Sequence, residues 1–136
     1  MAKSLVLDYR IVLDAVLPGS VLPLLLKYEG KVDFRTPDVC FEAVRRSLAQ
    51  TLERHGVDPS ESVSTLSRLE GIIEPVNVDL YETFGPPARE RVADSKQWPV
   101  VAVALLFESP IWTGDEDFFG AGIATWKTDK VELYLK

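Results

Sequence analysis

Several short apolar runs in this chain end at an acid. Ser4-Leu-Val-Leu7 closes on Asp8, and Pro110-Ile-Trp-Thr113 is followed by Gly114 and Asp115, with Asp117 two residues later. Glu42 lies one helical turn into a segment that follows another extended stretch. Ligands of an α/β protein bind beyond the carboxyl ends of its strands. Acids delivered there by several strands converge and repel one another. A divalent cation relieves that repulsion, because hard cations take carboxylate oxygens. The pattern points to metal-dependent phosphodiester chemistry.

A length of 136 residues fits a single domain, 1–136, with one sizeable core. With 46% hydrophobic residues the chain is globular rather than disordered. No apolar run reaches the roughly 18 residues of a transmembrane helix. Residues 1–10 lack a signal-peptide core, so a cytoplasmic location is expected. The single Cys40 excludes an internal disulfide and lies in an apolar helical pattern, which suits a buried thiol. A lone His55 beside Gly56 supports neither a histidine metal site nor a Ser-His-Asp triad. The formal charge of −6 argues against nucleic-acid binding by bulk electrostatics alone. Arg45 with Arg46, or Arg89 with Arg91, could still form a local basic face, although solvated helix faces are the commoner role of such pairs.

Strand and helix patterns alternate. Residues 3–8 suit a buried first strand. Residues 10–29 carry helical spacing broken at Pro18-Gly19, which implies two helices, the second capped by Ser20. Residues 32–36 read as a second strand. Thr36-Pro37-Asp38 is a helix start, with Thr as cap, and the helix runs to Gly56. Pro59 opens another helix to about Leu69. Residues 71–76 read as a third strand, and residues 77–93 as helix broken at Gly85-Pro86-Pro87. Pro99 and two alanines favour helix for residues 99–108. Ile111-Trp112 is the fourth strand, and residues 131–135 a short extended piece. The order implies an α/β fold: a three-layer α/β/α sandwich around a parallel sheet of four to five strands.

With these elements in place, the chain resembles the PIN domain family, the fold of many metal-dependent ribonucleases, including VapC-type toxins. Four stretches carry the resemblance over nearly the whole chain: Leu5-Val-Leu-Asp8, Pro37-Asp-Val-Cys-Phe-Glu42, Trp98-Pro-Val-Val-Ala-Val-Ala104 and Ile111-Trp-Thr-Gly-Asp-Glu-Asp-Phe118. By position, the resemblance implies Asp8, Glu42 and Asp115 as catalytic, metal-binding acids, with Asp117 assisting at the metal. Thr113 could orient Asp115 or touch a phosphate. Two positions depart from the family pattern. Gln97 stands where an acid usually precedes the helix at Trp98, leaving Asp94 as the nearest carboxylate. Arg10 stands where Asn usually follows the first acid, and it would add positive charge beside a cation.

The resemblance implies Mg2+ or Mn2+ as cofactor, an RNA substrate cleaved by metal-activated water, an antitoxin partner and a homodimer. Gln97 and Arg10 support an alternative, a degenerate PIN-fold protein that binds RNA or a protein partner without cleavage. Phospho-acceptor domains fit poorly, because the third strand offers no acceptor Asp and Arg10 holds the place where a dehalogenase-type phosphatase needs an acid. Trp98, Trp112, Phe118 and Phe119 read as core or interface rather than base-stacking surfaces.

Overall fold

Leu5, Val6 and Leu7 are all fully buried, so the first strand, β1 (Lys3–Leu7), is covered on both faces. That is the signature of a parallel sheet sandwiched between helices. In the computed structural model, which describes residues 2–56, 58–92 and 96–136, β1 pairs in parallel with β2 (Val32–Pro37) on one side and β4 (Ile111–Trp112) on the other. Beyond them lie β3 (Ile73–Val76) and β5 (Thr125–Trp126), giving the order β3-β2-β1-β4-β5.

Side chains alternate across a strand, and the two helical layers follow from that alternation. Leu5, Leu7 and Trp112 face one layer, built from α1 (Tyr9–Val16), α2 (Val21–Tyr28), α3 (Asp38–His55) and α4 (Pro59–Leu69), and closed by α8 (Glu132–Leu135). Val6 and Ile111 face the other, built from α5 (Val78–Tyr81), α6 (Gly85–Arg91) and α7 (Trp98–Phe107). The three-layer sandwich and its five-stranded parallel sheet match the architecture expected from the sequence.

Local chemistry sets most boundaries. Pro18-Gly19 breaks the first helical stretch, and α1 and α2 meet at 94°. Gly56 ends α3 in the left-handed region at φ 65°. Pro99 lies in the first turn of α7. In α6, Pro86 and Pro87 fall in the first turn, where a missing N–H costs nothing. The break therefore precedes them, in a 3-10 turn at Glu82–Phe84. Among the described residues, no single helix is long and apolar enough to cross a membrane.

Four further sequence expectations change. Ser20 precedes α2 but makes no side-chain capping bond. Thr36 does not cap α3. It remains in β2, and its buried hydroxyl donates to the Leu7 carbonyl at 2.7 Å, tying β2 to β1. Residues 71–72 form a turn, so β3 begins at Ile73. Residues 131–135 are not extended. Val131 and Leu135, four apart, are both buried, and the Leu135 N–H donates to the Val131 carbonyl. The apolar alternation of that segment also satisfies helical spacing, and the last extended piece is β5 instead.

Phe34 on β2 is 2% exposed and packs with its ring centroid 6.5 Å from that of Trp112. Phe34→Ala is expected to cost about 3–5 kcal/mol of stability, measured by urea denaturation. A cost below about 1 kcal/mol would contradict this core assignment.

Candidate active site

The strand order reverses direction around β1 and β4, and the crevice beyond their carboxyl ends is where an open α/β sheet places a ligand. Asp8 follows β1 directly and caps α1. Its Oδ1 accepts the Ile11 N–H at 2.9 Å. Only 3% of Asp8 is exposed. Its other oxygen, Oδ2, accepts the hydroxyl of Thr113, the residue after β4. Thr113 Oγ1 in turn accepts the Asp115 N–H at 3.0 Å. Asp115 Oδ1 accepts the Asp117 N–H at 2.9 Å, and its Oδ2 accepts the Gln97 amide at 2.9 Å. One hydrogen-bonded chain thus runs Asp8–Thr113–Asp115–Gln97 and joins the ends of two strands to the start of α7.

Burial above all pushes the Asp8 carboxyl up from the ordinary carboxylate range. The Thr113 hydroxyl and Ile11 N–H pull it back, while the charges of Asp115 and Asp14 push it up further.

The other expected residues divide. Asp117 is exposed and contributes its backbone N–H to Asp115. Glu42 does not join the pair. It lies on the solvent face of α3, about 200° around the helix from buried Cys40. There it pairs with Arg45, which also reaches Glu70. Arg10 does not enter the site either, because its guanidinium pairs with Asp14 at 3.1 Å one turn along α1. Asp94 lies outside the described residues. Phe119 is exposed rather than core, beneath the Lys127 ammonium, whereas Phe118 is fully buried. Trp112 is buried with its Nε1–H donated to Thr128, and Trp98 packs between Tyr81 and the Arg89 guanidinium.

Two residues near the site escaped sequence reasoning. Asp38 follows β2 directly and accepts the Tyr81 hydroxyl at 3.2 Å. Cys40 feels the charges of both Asp8 and Asp38, and burial pushes its thiol up to about 12. An acid immediately after the second strand was the available signal for Asp38. The loop beyond Asp117 is held by Arg91, which donates to the Ala121 carbonyl at 2.9 Å. Gly122 suits this turn, because at φ 81° it lies in the left-handed region that side chains disfavour.

Beside the acid pair a cleft of about 410 Å³ opens between α1, α3 and the start of α7, lined in part by Tyr9, Cys40, Ala43, Arg46, Lys96 and Gln97. Its volume falls within the range of ligand sites.

A family model described as "PIN domain" matches residues 6–136. No curated protein matches the chain. Among solved structures, that of VapBC2 from Rickettsia felis bound to a DNA fragment from their promoter is similar, with TM-score 0.67 and 10% identity over 92% of this chain and 98% of that one. FitAcB from Neisseria gonorrhoeae is similar with TM-score 0.57 and 18% identity, over 91% of this chain and 97% of that one.

The raised folded-state pKa of Asp8 has a measurable consequence. Stability from the protonated form is complete below the unfolded value near 3.9 and is lost as pH rises through the higher folded value. Relative to Asp8→Asn, the wild type is expected to lose Tm as pH climbs above about 4, levelling off once Asp8 is ionised. A Tm difference independent of pH would contradict the burial assignment.

Proposed function

The chain belongs to the PIN domain family, and from that premise we propose that it is a metal-dependent endoribonuclease, acting in the cytoplasm as the toxin of a toxin–antitoxin pair. The observation that carries this reading is the buried Asp8 carboxylate coupled through Thr113 to Asp115 at the sheet's switch point.

The donor set suits Mg2+ or Mn2+. Each of the four carboxylate oxygens of Asp8 and Asp115 accepts one hydrogen bond, which leaves a second lone pair on each. Among the described residues, no group of three or more His, Cys, Asp or Glu side chains converges. A cation held by this pair would keep its remaining sites for water and substrate phosphate, as Mg2+ commonly does. When bound, such an ion polarises the phosphoryl oxygen and lowers the pKa of its water.

The protein's own groups do the positioning. Thr113 fixes the distance between the two acids by donating to Asp8 and accepting from Asp115. The Asp117 N–H orients the Asp115 carboxylate. Gln97 holds the other Asp115 oxygen with an amide where the family places a carboxylate, so it contributes orientation without charge. The similarity to a VapBC structure supports a toxin–antitoxin setting. An antitoxin partner and a homodimer belong to the same proposal.

One observation favours a second reading, binding without cleavage. The Gln97 amide satisfies Asp115 without a cation, and Glu42 is turned away. Both lower the negative charge available to a metal.

The wild type is expected to cleave single-stranded RNA with Mn2+ or Mg2+. Asp8→Asn is expected to slow cleavage by about 100-fold or more, roughly 3 kcal/mol of transition-state stabilisation. Gln97→Asp is expected to lower the Mn2+ concentration needed. An Asp8→Asn protein that cuts as fast as the wild type ends the nuclease assignment. An inert wild type whose Gln97→Asp variant cuts RNA establishes the second reading.

A further inference from the structure

Of the two adjacent arginines on α3, Arg45 is engaged in holding the fold together. Arg45 is drawn to Glu42 and Glu70 on the outer face. Arg46 lines the cleft, is exposed and forms no ion pair among the described residues. The arginines of α6 are likewise occupied, Arg89 on the Trp98 ring and Arg91 on the Ala121 carbonyl. Across the cleft stands Tyr9, the residue after Asp8, half-buried, with its hydroxyl 2.8 Å from that of Ser47 on α3. The ring is also packed against both hydrophobic clusters, so it is held next to Asp8 by more than its hydroxyl.

We propose that Tyr9 and Arg46 form a nucleotide subsite adjoining the Asp8–Asp115 pair, in which the Tyr9 ring stacks on a base of a single-stranded RNA and Arg46 holds a neighbouring phosphate. The inference rests on the nuclease reading for its substrate class. Val39, Ala43 and Arg46 form one stripe along α3, so the cleft follows the helix for about 10 Å at 1.5 Å per residue. Aromatic rings serve any base, because every base offers a π-face. A guanidinium suits phosphate oxygens by its paired donors. The arrangement explains how a chain of net charge −6 accepts a polyanion: its cation is local to the cleft, and structural pairs occupy the other arginines of both clusters.

Binding is read apart from cleavage, by fluorescence anisotropy of a labelled oligouridylate in EDTA, in an Asp8→Asn background. Asn also caps helices, so that background keeps α1. Arg46→Ala is expected to weaken binding about tenfold and to reduce the slope of log affinity against log salt by about 0.7, the loss of one phosphate contact on a single strand. Arg46 is exposed, so its removal leaves folding intact. Tyr9→Ala is expected to weaken binding about tenfold, with Tyr9→Phe, which keeps the ring, within about twofold of the parent. Failure of the Asp8→Asn parent to bind, or Arg46→Ala and Tyr9→Ala proteins that bind like the parent with unchanged salt slope, overturns the subsite. Cleavage by the wild type with Mn2+ is scored separately. Absent cleavage with Tyr9- and Arg46-dependent binding sinks only the nuclease reading, whereas cleavage with binding indifferent to both residues sinks only the subsite.

Discussion

A carboxylate buried at the end of the central strand is the constraint around which this molecule is arranged. An ionised group removed from water without partners is costly. Asp8 meets that demand with two hydrogen bonds, one from the Ile11 N–H as it starts α1 and one from Thr113 as it leaves β4. The same pair of bonds fixes the first helix on the sheet and the late loop on the first strand. Thr113 passes the constraint on to Asp115, and Asp115 passes it to the start of α7 through Gln97. Asp8, Thr113, Asp115 and Gln97 are thus joined in one network that starts at the buried acid. Burial leaves that acid harder to ionise, so the site gains from any cation that enters.

The cleft beside this network divides its charge by location. Acids lie at the strand ends, while Arg46 and Lys96 line the neighbouring walls. Long-range attraction of a polyanion to a chain of charge −6 is weak, so the proposed RNA recognition rests on short-range groups. The Arg45–Glu42–Glu70 and Arg10–Asp14 pairs lie outside the cleft. Among the described residues Arg46, which lines the cleft, forms no ion pair with them.

The sheet was legible in the sequence because its strands are short apolar runs bounded by strong signals. Asp8, Pro37 and Gly114 close runs that the structure shows as strands or strand ends. The ambiguous segment at 99–108 was decided by Pro99 and its alanines, and it is helical. Asp8 and Asp115 were legible as strand-end acids, and the structure joins them through Thr113. Motif position does not give the direction of Glu42, which depends on helical phase. Cys40 and Phe41 turn inward on α3, and that rotation carries Glu42 to solvent. Arg10 likewise stands near the site by spacing, but an acid four residues on captures it. The C-terminal segment misled because Val131, Leu133 and Leu135 alternate, while a strand needs a neighbouring edge and a helix closes its own hydrogen bonds. Side-chain direction and competition between partners are tertiary facts, and a single sequence does not encode them locally.

The account stands on Asp8 and Asp115 acting as one unit toward a divalent cation. A double-mutant cycle on Mn2+-induced thermal stabilisation tests this most directly, using the wild type, Asp8→Asn, Asp115→Asn and the double variant. If the pair is a unit, either single substitution removes nearly the whole Mn2+ shift and the double variant loses no more. Losses that simply add, or a Mn2+ shift that persists without both carboxylates, would contradict it.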